Sequence, residues 1–305
     1  LPARADDFVG KRPQALLWRG DVIDLNPTAA FYEKAGASTV WTTAGRPNGR
    51  ARELVQAINN AESDGLSPND YLSANLRDPG NLASTADAEG FERAMSAAFL
   101  RYARDIHGGR ASPSIGASNI VITRKPVEPE VWLPFVRDKG VEPALKKLRP
   151  SDPQYYQLRQ MLAGYRALAA RGGWARIPAG PSLKPGMNDA RVKAMRDNLK
   201  ARGYSGIDGG TAYDPGLVAV VKHFQKRHGL EPDGIAGKGT IDAMNVSAQA
   251  RVQQIIVNME RWRWLPADLG EFYVWDSVPE QMTAVYEKGK QVLSERIVVG
   301  KINTP

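Results

Sequence analysis

The span 184–245 constrains the fold more than any other part of the chain, because three short helix patterns follow one another there with turn signals between them. Asn188 or Asp189 is placed to cap the first helix, and Gly203 to end it. Asp214 and Pro215 begin a second helix, with proline at the first helical position, where its missing N–H is harmless. This arrangement predicts a small helical bundle.

The remaining signals in this span agree with that prediction. Gly229 is placed to end the second helix, and 232–234 (Pro-Asp-Gly) has turn chemistry. We expect Thr240 to cap a third helix over 241–245. The apolar residues that share the core face of the first two helices are Val192, Met195, Leu199, Leu217, Val218, Val221 and Phe224.

The first part of the chain has a mainly helical pattern with Gly/Pro-punctuated connections. Helices are predicted over 50–61, 91–106 and 155–171, and 112–134 is interpreted as an irregular Pro-rich segment with one possible strand at 119–123. The predicted core stripes are Met95, Ala98, Phe99, Tyr102 and Ile106 in the second helix, and Leu158, Met161, Leu162, Tyr165 and Leu168 in the third.

After a predicted helix over 249–264, the period of the pattern changes from helix to strand. Strands are predicted over 272–275, 282–286 and 291–299, with the last two joined as a hairpin through 287–290. A hairpin is not stable alone, and 297–299 (Ile-Val-Val) would leave an apolar edge uncovered. We therefore expect a β-rich domain that only begins within these residues.

Composition narrows the possible functions. The 305 residues allow two or three domains, and the net charge of +8 comes from 41 Lys and Arg against 33 Asp and Glu. Basic residues are mixed with acidic ones and form no run of five or more. We predict a generally basic surface and no nucleic-acid partner.

Other chemistries lack their signatures. There is no cysteine, which removes disulfides, Cys-ligated zinc and a thiol nucleophile from these residues. The three histidines are isolated, so no metal site is predicted, and no phosphate-binding glycine loop occurs. A glycosidase with paired carboxylates stays open, because acids are plentiful and nothing marks a pair. No apolar run reaches the ~18–20 residues that a membrane span needs.

Two sets of motifs carry a resemblance. The segment from Gly203-Tyr204 through Asp214-Pro215, Phe224-Gln225 and His228-Gly229-Leu230 resembles a peptidoglycan-binding domain. FLRYARDIHGGRASP, the span 155–186 and IIVNMERWRWLP resemble the large periplasmic L,D-transpeptidases of the YcbB type. The segment 274–281 (VWDSVPEQ) departs locally from those relatives.

The resemblance implies a mainly α fold: a helical scaffold over 1–183, a three-helix binding domain over 184–248, and over 249–305 a linking helix with the first strands of a β-rich YkuD catalytic domain. It implies periplasmic localisation in a Gram-negative envelope, peptidoglycan as partner and no cofactor. Such enzymes cross-link stem peptides through a cysteine thioester, and the motif with that cysteine is expected beyond Pro305. No catalytic residue is assigned, and the oligomeric state stays open.

Gln225, His228 and Asp233 are the predicted polar contacts for glycan or stem peptide. Two alternatives remain: a non-catalytic peptidoglycan-binding protein, and a basic binder of nucleic acid or another anionic polymer.

Overall fold

The computed structural model describes residues 15–18, 21–24, 28, 31–33, 39–73, 85–111, 125–266, 268–277 and 281–298. The possible strand at 119–123 lies outside them. The chain separates into two compact units, one within Leu1–Leu162 and Ile256–Ala267, the other within Ala163–Ile255 and Asp268–Pro305. The described residues include no helix long and apolar enough to cross a membrane.

Helices build most of the first unit. They are α1 (Gly49–Asn59), α2 (Thr85–Gly108), α3 (Pro129–Lys139), α4 (Val141–Leu148) and the first part of α5 (Pro153–Ala170), with 3₁₀ turns at Ala61–Asp64 and Pro68–Asp70. Two short antiparallel hairpins accompany them: β1 (Ala15–Trp18) with β2 (Asp21–Asp24), and β3 (Thr42–Thr43) with β4 (Arg46–Pro47).

The predicted core stripe of α2 is confirmed, since all five of its residues are fully buried. The stripe of α5 is wrong in part: Leu162 is buried, but Met161 is 44% exposed. Helix α3 corrects the irregular segment predicted through 134. It begins with Pro129 at a position that tolerates proline and accommodates Pro134 inside, so Pro-richness alone misled the prediction.

A buried carboxylate joins several elements of this unit. Asp64 is fully buried and pairs with Arg149 at 3.2 Å and Arg159 at 2.9 Å. It also accepts a hydrogen bond of 3.0 Å from the hydroxyl of Tyr155. Arg263, itself 1% exposed, donates to the backbone oxygen of Asp64 and to the Tyr155 hydroxyl. A buried charge is costly without partners. This network therefore connects the 3₁₀ turn that ends at Asp64 with the C-terminal end of α4, with α5 and with the helix that carries Arg263.

The second unit contains α6 (Ala190–Ala201), α7 (Pro215–Arg227), α8 (Lys238–Asn245) and the first part of α9 (Ala248–Trp264). The caps at Asp189 and Asp214 are confirmed by their side-chain bonds to backbone N–H groups. The cap at Thr240 is wrong: α8 begins one turn earlier, after Gly237, and Thr240 lies inside it. The predicted core is confirmed except at Val218, which is only partly buried.

A three-stranded antiparallel sheet of order β5-β6-β7 completes this unit: β5 (Phe272–Ser277), β6 (Met282–Glu287) and β7 (Lys290–Arg296). Lys288 and Gly289 form the two-residue hairpin turn, both with positive φ. The last strand ends at Arg296, earlier than predicted, and Val298 is fully exposed. The mainly α fold class with β-strands at the end is confirmed.

Candidate functional site

An open groove of about 440 Å³ lies at the N-terminal end of α7 in the second unit. Its lining is mostly apolar, and the aromatic Tyr213 forms part of it. The lining residues are Pro185, Gly186, Ala212, Tyr213, Asp214, Pro215 and Val218. A concave, apolar surface with few polar groups is typical of a ligand site.

Backbone pairing between two loops forms the walls of the groove. Gly186 N–H donates to Tyr213 O at 2.9 Å, Tyr213 N–H donates to Met187 O at 2.7 Å, and Asp189 N–H donates to Thr211 O at 2.9 Å. The side chain of Tyr213 is 1% exposed, and its hydroxyl donates to Gly234 O at 2.7 Å. Burial raises the pKa of Tyr213, so the phenol stays protonated and keeps this bond.

Arg196 supports the same wall from inside the protein. Its side chain is 1% exposed, and its guanidinium donates to Ile207 O at 3.0 Å and to Ala212 O at 2.6 Å. The guanidinium also pairs with the carboxylate of Asp214. A fork of N–H donors on one rigid plane can hold several oxygens at once, so Arg196 sets the path of the loop that carries Ala212 and Asp214.

Asp214 ends this loop and starts α7. Its Oδ1 accepts from Leu217 N–H at 2.9 Å. This bond and the Arg196 guanidinium hold the pKa of Asp214 below its usual range. The carboxylate is therefore charged and occupied by the helix terminus and Arg196, and the groove itself offers apolar contact rather than acid–base chemistry.

Gln225 and Asp233 lie together beside the Pro-Asp-Gly turn. Gln225 is 2% exposed, and its Nε2 lies 2.8 Å from Asp233 Oδ1, 3.0 Å from Ile235 O and 3.1 Å from Thr240 Oγ1. Its Oε1 accepts from Gly234 N–H at 2.9 Å. The burial of this amide disfavours direct contact with a ligand and gives Gln225 a positioning role. Asp233 is exposed, and its Oδ1 also accepts from Ile235 N–H at 2.8 Å.

His228 lies at the other end of α7, where its backbone N–H donates to Gln225 O at 3.0 Å. Among the described residues, no side-chain hydrogen bond joins His228 to Gln225 or Asp233. Its ring stacks on Phe224 with centroids 3.8 Å apart, and its Nδ1 is 2.8 Å from Phe224 O. Burial lowers the pKa of His228, and the nearby Arg251, Arg202 and Arg227 add to that effect. A role of the three predicted residues in binding stays a prediction.

Sequence reasoning missed the groove. The two loops that form its walls, around Gly186 and Tyr213, are far apart in the sequence, and the backbone hydrogen bonds between them depend on the tertiary structure. The helix start at Asp214-Pro215 was predicted, but nothing in the sequence says that it lies beside Gly186. Within the described residues no group of three His, Cys, Asp or Glu side chains could hold a metal ion.

Two parts of the chain match known protein families. Residues 26–162 match a family described as a scaffold domain, and residues 188–244 match one described as a putative peptidoglycan-binding domain. No curated protein matches the chain. The two modules together support an L,D-transpeptidase-like architecture, peptidoglycan binding and association with the cell wall.

Proposed function

We propose that these 305 residues are the scaffold and peptidoglycan-binding portion of a periplasmic L,D-transpeptidase of the YcbB type. The observation that carries the proposal is the order of the two matched modules, a scaffold domain over 26–162 followed by a peptidoglycan-binding domain over 188–244. The proposed boundaries are 1–183 for the scaffold, 184–248 for the binding domain, and 249–305 for a linking helix and the beginning of a YkuD-like catalytic domain.

The groove at α7 is the proposed binding site. Peptidoglycan presents the C–H faces of sugar rings and the methyl groups of its peptides, and both can pack on an apolar lining such as Ala212, Pro215 and Val218. Since Arg196 and the Tyr213 hydroxyl hold the wall through buried hydrogen bonds, the groove is formed before the ligand arrives. A preformed site loses little entropy on binding.

The sheet β5-β6-β7 supports the catalytic-domain part of the proposal. Phe272, Val274 and Val292 on its outer strands are 65%, 55% and 56% exposed. Apolar side chains on a sheet ordinarily pack against further strands or a helix. The thioester chemistry requires a cysteine, and these residues contain none. We therefore expect the purified 305-residue chain to bind peptidoglycan without cross-linking tetrapeptide stems.

The test is co-sedimentation of the 305-residue chain with purified sacculi, comparing Ala212→Trp with Ala219→Trp. Ala212 is exposed and lines the groove, whereas Ala219 is exposed on α7 and is not among the lining residues. The indole at 212 should occupy the groove and weaken binding at least about tenfold, equivalent to about 1.4 kcal/mol. The indole at 219 should leave binding within about twofold of wild type.

Equal binding by both variants would show that the groove is not the site. A wild-type chain that ignores sacculi but binds DNA with a steep salt dependence would favour the anionic-polymer alternative instead.

A further inference from the structure

A cluster of arginine and aromatic side chains surrounds the C-terminal end of α7. The guanidinium of Arg202 lies 3.6 Å from the centroid of the Trp174 ring and 5.4 Å from that of Phe224. The ring of His228 stacks on the ring of Phe224, with the two centroids 3.8 Å apart. The column Trp174–Arg202–Phe224–His228 is half-buried, apart from the fully buried Phe224. Flat aromatic walls of this kind exclude water around the guanidinium and strengthen its electrostatic interactions.

The cluster has an excess of positive charge. Burial, followed by repulsion from Arg251, lowers the pKa of Arg202 to about 10. Arg251, Arg202 and Arg227 all act on His228 in the same direction. In the part of the chain that the structure describes, none of these three arginines has a carboxylate within ion-pair distance, although many other arginines do.

Within the described ranges, the hydrogen bonds of the cluster use only neutral oxygens. Arg202 donates to Asn198 Oδ1 at 2.8 Å and to Met244 O, and Arg251 donates to Gln254 Oε1 at 2.8 Å and to Ala243 O at 3.2 Å. The carbonyls of residues 243 and 244 are the C-terminal end of α8, whose partial negative charge balances the guanidinium groups only in part. Each guanidinium has five N–H donors, so several remain for an anion.

A further donor lies beside Arg202. The indole Nε1 of Trp174 is buried and has no hydrogen-bond partner among the described residues. A buried donor without a partner is costly, and an anion held by the neighbouring guanidinium could satisfy it.

We propose that the cluster formed by Trp174, Arg202, Arg227, His228 and Arg251 binds a carboxylate of the peptidoglycan stem peptide. The inference rests on the proposed function and adds a second contact to it. The cluster and the groove lie at opposite ends of α7, whose 13 residues span about 20 Å at ~1.5 Å per residue. A wall polymer with regularly spaced carboxylates is long enough to reach both.

A single compact cluster favours one carboxylate over a phosphate backbone. A nucleic acid is held by a basic stripe that follows many phosphates. Here the charges of three arginines act on one histidine, and the guanidinium of Arg202 lies against the rings of Trp174 and Phe224. Bidentate contact between guanidinium and carboxylate is the interaction that such a site fits best.

The test compares the double variant Arg227→Gln/Arg251→Gln with wild type on native sacculi and on sacculi whose carboxylates have been converted to amides. We expect binding of the double variant to native sacculi to be about tenfold weaker. Amidation should weaken wild-type binding similarly and remove the difference between the two proteins. Arg202 is left intact because it stacks in the core of the cluster.

The matched control is Lys193→Gln/Lys238→Gln, which removes the same amount of charge from exposed positions of the same compact unit. It should bind within about twofold of wild type. An equal loss in this control, or a difference between wild type and the arginine variant that persists on amidated sacculi, would overturn the carboxylate site. If Ala212→Trp loses binding to sacculi and the arginine variant does not, the carboxylate site is overturned and the proposed function is left intact.

A soluble probe separates the two proposals. The dipeptide L-Ala-γ-D-Glu should raise the pKa of His228, measured by NMR of its ring, because an added negative charge stabilises the imidazolium. The diamide of the same dipeptide should leave it unchanged. If the dipeptide raises the pKa of His228 in a chain that does not bind sacculi, the carboxylate site is supported and the proposed function is rejected. If neither probe changes the pKa of His228, the carboxylate site is rejected.

Discussion

Replacing Gln225 with methionine tests whether this residue contacts ligand or organises the module. The substitution keeps the approximate volume of the side chain and removes its amide, so the hydrogen bonds are lost without a large cavity. The amide hydrogens of Gln225 are shared among Asp233 Oδ1, Ile235 O and Thr240 Oγ1, and its Oε1 accepts from the buried Gly234 N–H.

The amide can make three full hydrogen bonds, two as donor and one as acceptor. At about 1 kcal/mol each, their loss should lower the free energy of unfolding of the second unit by about 3 kcal/mol. The substitution also leaves the buried Gly234 N–H without its hydrogen-bond partner. Because an unpaired buried donor is costly, we expect the decrease in the free energy of unfolding to be no smaller than this. Binding to sacculi, expressed per folded molecule, should stay within about twofold of wild type, since Gln225 is only 2% exposed.

Urea unfolding followed by hydrogen exchange of peptides over 215–245 measures the stability of this unit separately from that of the first. The midpoint should fall by about 1–3 M urea. Gln253→Met, at an exposed position on α9, is the control and should change stability by less than about 0.5 kcal/mol. A loss under about 1 kcal/mol together with tenfold weaker binding would refute this reasoning and make Gln225 a ligand contact.

Three further predictions concern backbone, pH and buried charge. Gly234→Ala should destabilise the second unit more than Gly229→Ala by at least about 1 kcal/mol in the same unfolding assay, because both glycines have positive φ but only the Cβ at 234 would lie 2.9 Å from Val218 Cγ1. The lowered pKa of His228 means that the folded state binds fewer protons than the unfolded state, so stability of the second unit should fall as pH drops below about 6.5. His228→Gln should flatten that pH profile, and an unchanged slope would contradict the assignment. Asp64→Ala should lower the stability of the first unit by about 3–5 kcal/mol in urea, because it leaves Arg149 buried without this partner; a loss below 1 kcal/mol would mean that the network relaxes freely.

Much of the binding module could be predicted because its signals are local. The caps at Asp189 and Asp214 and the end of α7 at Gly229 depend on a few neighbouring residues, and the structure shows each of them. The cap at Thr240 failed because the hydroxyl, which would suit a helix start, is instead an acceptor for the buried Gln225 amide. Helix α3 was not predicted because the prolines of this segment were interpreted as a sign of irregular structure. Pro129 instead begins the helix, at a position where proline is tolerated.

The candidate sites could be predicted only in part. His228 was chosen as a polar residue near a helix end, but its neighbours Trp174, Arg202 and Arg251 come from other parts of the chain. Gln225 and Asp233 were chosen for the same contact, yet their side chains bond to each other and to the turn. Residue type indicated polar chemistry, and of the three residues only Gln225 has a buried side chain whose amide is fully used by neighbouring groups.

The sequence by itself determined the helical class, the caps at Asp189 and Asp214, the hairpin at Lys288-Gly289 and the absence of a thiol among these residues. These properties follow from short-range sterics and hydrogen bonding, which a few adjacent residues define. Only the tertiary structure decided that the loops around Gly186 and Tyr213 pair to form a groove. It alone also placed several arginines where their charges act on His228, with no carboxylate paired to them among the described residues. Pairing and electrostatic repulsion depend on distances between residues far apart in the chain, and packing of the whole unit sets those distances.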